Sequence, residues 1–189
     1  MPIGSFHATL NGIPVVCAGG NAGPNSSSVI SVAPWIMTVA ASTMDREFPA
    51  YVHLGNGQKL KGQSLSTAGL SPNTSYALII SGEATAANSN SSNDAVLCNP
   101  GSLDPAKVEG KIVACEAGGV YSPRKREVVK EAGGAVMQSE RTEIYPAQHF
   151  LPAVDVGPAG NVSLRKYYDS TPSPTAYITR PRTELGVKA

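Results

Sequence analysis

The sequence predicts an α/β protein: part of a parallel-sheet domain, followed by a second, strand-rich α/β domain. Three observations lead there. A continuous apolar run, Ile13 to Ala18, follows a helix-like segment and ends in the tight loop Gly19-Gly20-Asn21-Ala22-Gly23-Pro24. A second apolar run, Trp35 to Ala41, comes after a serine-rich connection. From about residue 95, strand-like and helix-like segments alternate. Short runs without polar interruption suit strands buried on both faces of a sheet. Alternation with helices lays such strands side by side in parallel.

The elements follow in order. Residues 2–10 read as the last turns of a helix, with Phe6 and Leu10 four apart on one face and Asn11-Gly12 as the stop. Near residue 45 the pattern changes. Phe48, Tyr51, Val52 and Leu54 lead into Gly55-Asn56-Gly57, a hairpin signal, and Lys59 to Leu65 forms the return strand. Residues 67–75 and 81–94 are rich in small polar residues and read as surface loops, mobile from Ala84 to Asn93. Lys111 to Cys115 is a strand. Ser122-Pro123 opens a helix that runs to Ala132 and stops at Gly133-Gly134. Ala135 to Gln138 and Leu151 to Val156 are strands, Gly160 to Ser170 a helix, and Ala176 to Thr179 a final strand. The domains are placed at 1–58, 59–175 and a return segment, 176–189.

Composition excludes several classes of function. With 189 residues, a net charge of +1 and 15% charged residues, nothing points to nucleic acid or an anionic membrane. No apolar run approaches the roughly 20 residues of a membrane span, and the N-terminus lacks the basic and apolar regions of a signal peptide. Three cysteines without a C-x-x-C pair do not make a zinc site. Neither G-x-G-x-x-G, a P-loop nor H-E-x-x-H occurs, so no cofactor or metal is expected. Cys17 lies in an apolar run and reads as a buried free thiol, while Cys98 and Cys115 bracket a turn-rich segment and could close a short loop. Sequons stand at Asn25, Asn73, Asn90 and Asn161. Together with a disulfide they fit an oxidising, secretory environment, and the true N-terminus is then expected upstream.

Longer stretches carry a resemblance. Ile3-Gly4-Ser5-Phe6-His7-Ala8, Gly12 to Pro24, Val32 to Phe48, and Leu54-Gly55-Asn56-Gly57 with Lys61-Gly62-Gln63-Ser64-Leu65 resemble the plant subtilase family of serine proteases. Cys98 to Pro105, Lys107 to Cys115, Leu151-Pro152-Ala153 and Tyr167 to Thr171 resemble the protease-associated (PA) domain inserted in these enzymes. The match covers nearly the whole chain and is weakest over 138–150. It implies a subtilisin-like parallel-sheet domain followed by the PA insertion, with chain order Asp, His, oxyanion Asn, PA domain, Ser. The chain departs from the family pattern at Gly19, where alanine is usual, and at Glu116-Ala117-Gly118-Gly119, where basic residues are commoner. Met1 falls inside an expected helix. The chain is therefore read as an internal fragment.

The resemblance assigns Asn21 to the oxyanion hole. Acyl transfer by a serine builds negative charge on the carbonyl oxygen, and a preorganised amide donor stabilises it. Ala18, Gly19 and Gly20 would wall the pocket for the residue before the scissile bond. The triad itself is missing: there is no G-T-S-M-S or G-x-S-x-G string, and His7, His53 and His149 lack the H-G-T context. Each histidine reads as a surface or packed residue, Asp45 as a structural charge, and Arg124-Lys125-Arg126 as a solvated face. The parent is thus read as a secreted or vacuolar serine endopeptidase that cuts protein or peptide substrates. Its PA domain would shape substrate access or form a homodimer contact. The chain alone is expected to be inactive. The alternative is a non-catalytic PA-domain interaction module.

Overall fold

A computed structural model describes residues 2–42, 44–71, 74–89, 91–119, 122–139 and 146–186. They fall into two compact units that divide between Asp45 and Arg46. The division lies ahead of the 58/59 boundary read from sequence, because the hairpin that starts at Pro49 belongs wholly to the second unit.

The first unit holds α1 (Pro2–Leu10), β1 (Val16–Ala18) and β2 (Met37–Val39). β1 and β2 pair in parallel, Val16 opposite Met37 and Ala18 opposite Val39. Trp35 ties the helix down: its indole N–H donates to Pro2 O at 3.1 Å and Ser5 Oγ at 3.0 Å, and its ring meets Phe6 edge-on. No described residue of this unit is buried. Val16, Met37 and Val39 are all exposed, Met37 by 64%. Parallel pairs in folded proteins are covered on both faces; this pair leaves one face exposed and the other, with Cys17 and Thr38, only half-covered. Cys17, expected to be buried, is only half-buried for the same reason.

The second unit is a closed seven-stranded barrel. Its strands are β4 (Pro49–Leu54), β5 (Lys59–Gln63), β6 (Tyr76–Ile80), β7 (Ile112–Cys115), β8 (Ala135–Ser139), β9 (Ala153–Val156) and β10 (Thr175–Ile178). They are ordered β10-β4-β5-β9-β8-β7-β6, and β6 returns to β10. A short antiparallel pair, β3 (Arg46–Glu47) with β11 (Glu184–Leu185), sets the entering and leaving chain side by side. Half the barrel is antiparallel, built on the hairpin predicted at Gly55-Asn56-Gly57, where Gly57 adopts φ +86°. The other half, β6 to β9, is parallel. Parallel neighbours need crossovers. These are supplied by a 3₁₀ turn at Ser81–Ala84, α2 (Ser92–Val96) and α3 (Pro105–Val108) before β7, and by α4 (Ser122–Glu131) before β8. α5 (Pro158–Asp169) packs Leu164 and Tyr167 into the barrel interior.

Side-chain alternation divides the core in two. Val52, Leu54, Leu60, Leu78, Ile112, Met137, Val154 and Ile178 are among those filling the interior. Val113, Cys115 and Val136 point out from the parallel strands and pack with Val108, Val128, Val129 and Leu103. β7 is therefore buried at every position, as its uninterrupted apolar sequence requires. Each such side chain contributes about 1.5–3 kcal/mol relative to leaving it exposed.

Three readings of the second unit need correction. Residues 81–94 are not loop throughout: Ser81–Ala84 form a 3₁₀ turn in which Ala84 is fully buried, Ser81 Oγ donates to Val96 O at 2.9 Å, and the turn after α2 carries Cys98, joined to Cys115 by a disulfide. Small residues there permit close packing against β7. β6 and α3 were not singled out in the sequence. The Arg124-Lys125-Arg126 run is not a solvated face. Lys125 and Arg126 are each 1% exposed, and only Arg124 reaches solvent, where it pairs with Glu127. The helical turn aims 125 and 126 at the sheet. Lys125 Nζ donates to Glu116 O. Arg126 Nη2 donates to both oxygens of Asp155, at 3.2 and 3.0 Å.

His149 packs against that buried pair, its Nε2 3.6 Å from Asp155 Oδ2, with Gln138 also buried among the polar residues of the barrel. Burial first, and then the Arg126 charge, push its pKa down from 6.5 to about 3. A neutral buried imidazole must take up a proton on acid unfolding. Its contribution to stability is complete above about pH 6.5 and is lost as pH falls toward 3. Urea-unfolding midpoints measured across this window should fall more steeply for the native chain than for His149→Gln; parallel curves would contradict the assignment. Reducing the Cys98–Cys115 bond, which spans 17 residues, should cost roughly 3 kcal/mol in the same assay at pH 7.

Candidate functional site

The loop after β1 is built from the backbone outward. Gly19 N donates to Val39 O at 2.9 Å, and Gly19 O accepts from Ile30 N at 2.9 Å. The peptide that follows β1 is therefore fixed from both sides. Gly20 turns the chain at φ +95°, and a Cβ there would stand 3.0 Å from Ile30 Cγ1. Both the dihedral and the close approach call for glycine. Gly19 is different. A methyl group would meet Val39 O at 3.7 Å and Thr38 Cγ2 at 3.8 Å, ordinary contacts that leave room for an alanine.

Asn21 comes next, exposed, beyond the carboxyl end of β1. Its carboxamide makes no hydrogen bond to any described residue, so its N–H₂ group is available to an external acceptor. Carboxyl ends of parallel strands are where α/β sheets place ligand sites. Ala18, Gly19 and Gly20 form the backbone immediately before it. Thr38 Oγ1 donates to Ser31 O at 2.6 Å and ties β2 to the far side of the same loop.

The three histidines have separate surroundings, His7 in the first unit and the other two in the second. His7 is exposed on α1, His53 meets Tyr177 edge-on at 6.2 Å on the barrel wall, and His149 is buried beside Asp155. No group of three or more His, Cys, Asp or Glu among the described residues could hold a metal ion. No described helix is long and apolar enough to cross a membrane.

The sequons differ in surroundings. Asn25 is exposed in the turn after Pro24. Asn161 lies in the first turns of α5, half-buried, and its Nδ2 donates to Glu116 Oε2 at 3.3 Å. Glu116 also pairs with Arg165 at 2.6 Å. Asn73 and Asn90 lie outside the described residues, as do Met1 and positions 140–145 of the weakest-matching stretch. The signal that reasoning from sequence missed is the burial of Arg126. The carboxylate it needs, Asp155, stands alone in the apolar run Leu151 to Val156, an oddity that could have announced a buried partner.

No protein-family model matches the chain. Among curated proteins, subtilisin-like protease SBT5.4 of Arabidopsis thaliana is 45% identical over 191 residues, which cover 98% of this chain and 24% of that protein. The CO(2)-response secreted protease of the same plant is 39% identical over 181 residues, covering 93% of this chain and 23% of that protein. Among solved structures, a zinc aminopeptidase from Bacillus subtilis superposes with a TM-score of 0.50 over 77% of this chain and 33% of that one. At 13% identity that likeness concerns the fold alone. The chain spans about a quarter of the length of the curated relatives it matches, and over nearly all its own length it belongs to the plant subtilisin-like proteases.

Proposed function

We propose that this chain is a section of a serine endopeptidase, in which Asn21 supplies the side-chain donor of the oxyanion hole and the barrel is the inserted PA domain. The observation that carries the reading is the Asn21 loop. A free carboxamide stands beyond the carboxyl end of a parallel strand, on a backbone pinned by Val39 and Ile30. With the exposed apolar residues of this segment covered in the parent enzyme, such a backbone would hold the amide in place as charge develops on the substrate oxygen, which is what makes a preorganised donor effective. Ala18, Gly19 and Gly20 present backbone without bulk beside it, as a wall for the substrate residue before the scissile bond.

The barrel's geometry supports the insertion. β3 and β11 pair, so the chain enters and leaves at one place. A domain whose ends lie together can be accommodated within another without distorting either. The parent would act on protein or peptide substrates outside the cell or in the vacuole. The nucleophile and its base are not in this sequence, so the chain alone should fail to react with a fluorophosphonate probe.

A second reading is favoured by a separate observation. The barrel is closed, carries its own disulfide and contains every buried residue described. Such a unit could serve as an interaction module, by homodimer contact or otherwise. The mass of the native protein in its source tissue, detected with an antibody to residues 100–135, separates the readings. A species several times 19.5 kDa favours the protease, and one near 19.5 kDa the module.

In the full-length protease, Asn21→Ala should lower kcat by about 10²–10³ with little change in KM, as removal of the oxyanion asparagine of subtilisin does. An unchanged kcat would overturn the assignment.

A further inference from the structure

Val128 and Val129 of α4 cover the parallel strands from outside, whereas on the outer face of β4 and β10 Tyr51 and Tyr177 are half-exposed. A cleft of ≈ 390 Å³ opens there, floored by Tyr51, Leu70 and Tyr177 and rimmed by Arg180, Arg182 and Glu184. Inward alternation of Ala50, Val52, Ala176 and Ile178 turns Tyr51 and Tyr177 outward onto one surface. The chain after β10 continues extended, so Arg180, Arg182 and Glu184 recur on the same side.

This arginine segment is held, not loose. Thr179 N donates to Tyr51 O at 2.9 Å, Tyr51 N to Thr179 Oγ1 at 2.9 Å, and Arg182 N to Pro49 O at 3.1 Å. Gly69 makes room for the Arg180 side chain: a Cβ there would collide with Arg180 Nε and stand 2.7 Å from its Cγ. Neither guanidinium makes an ion pair or hydrogen bond with a described side chain. Glu47, the strand partner of Glu184, is taken by Lys61 at 2.7 Å. Two arginines against Glu184 leave the rim with one net positive charge.

We propose that this cleft binds an extended peptide segment carrying acidic side chains. The guanidinium groups, spaced two residues apart, would take carboxylates as bidentate partners. The tyrosine and leucine floor would take the apolar residue between them. A small inorganic anion would satisfy the arginines and leave that floor unused. The site belongs to the barrel alone and does not depend on Asn21 or on catalysis.

The test uses the disulfide-intact 189-residue chain and two fluorescein-labelled peptides of alternating sequence, one Glu-Tyr and one Gln-Tyr, read by anisotropy. The Glu peptide should bind at least about tenfold more tightly, the loss of roughly one charged pair. The preference should shrink as salt rises. Arg180→Gln/Arg182→Gln should reduce the Glu peptide to the level of the Gln peptide, whereas Arg124→Gln should change nothing. Equal binding of the two peptides, binding of neither, or a preference that survives in the double variant would overturn the proposal. The peptide comparison on the unmodified chain keeps the outcome decisive even if the double variant misfolds.

Discussion

Pairing between β4 and β10 holds the second unit together. Tyr51 N reaches Thr179 Oγ1 across 128 residues of chain, and Val52, Leu54, Ala176 and Ile178 meet inside the barrel because those two strands align. Without this seam the sheet would have two open edges and a half-exposed core. With it, no barrel strand presents an unpaired edge. The seam also sets where the chain comes and goes, since β3 and β11 are the continuations of these same two strands. Tyr167 secures the neighbouring end: its hydroxyl donates to Thr175 O at 3.1 Å and accepts from Thr175 N at 3.0 Å, fixing α5 to the start of β10. Beside it, Tyr168 donates to Glu83 at 2.7 Å, and burial together with that bond raises its pKa to about 12, so it stays a donor at any physiological pH.

Polar burial in the barrel has a definite logic. Asp155 sits on the outward face of β9 under α4, where a lone carboxylate would be costly. Arg126 answers it from the helix. Removing either partner leaves the other charge buried, a loss of about 3–5 kcal/mol. The pair therefore specifies how α4 lies on the sheet more than it adds net stability. Lys125 anchors the same helix to the end of β7 through Glu116 O, and Glu116 in turn holds Arg165 and Asn161 of α5. One acidic residue thus links two helices to a strand.

Much of this was legible in the sequence for physical reasons. The β7 strand, the α4 and α5 helices and the Gly55-Asn56-Gly57 hairpin each carry local signals that tertiary structure reinforces. Their boundaries fall within a few residues of those read. The Gly19-Gly20-Asn21 loop was legible because its glycines answer backbone demands. What stayed hidden depended on distant partners. Local composition made residues 81–94 look like loop throughout, whereas Ser81–Ala84 form a 3₁₀ turn with Ala84 fully buried. A basic triplet at a helix start looks solvated until a carboxylate 29 residues away is known to face it. Barrel closure could not be read from strands alone, because nothing in β4 or β10 by itself names the other.

The two units differ in what orders them. The barrel buries its own core, whereas the segment bearing Asn21 exposes Val16, Val32, Met37 and Val39 and has no buried residue among those described. Ordering such a segment takes apolar surface it does not itself supply. Hydrogen exchange read by mass spectrometry on the isolated 189-residue chain tests this most directly. The account predicts slow exchange across β4 to β10 and exchange near free-peptide rates through β1 and β2. Comparable protection of the two units would contradict it.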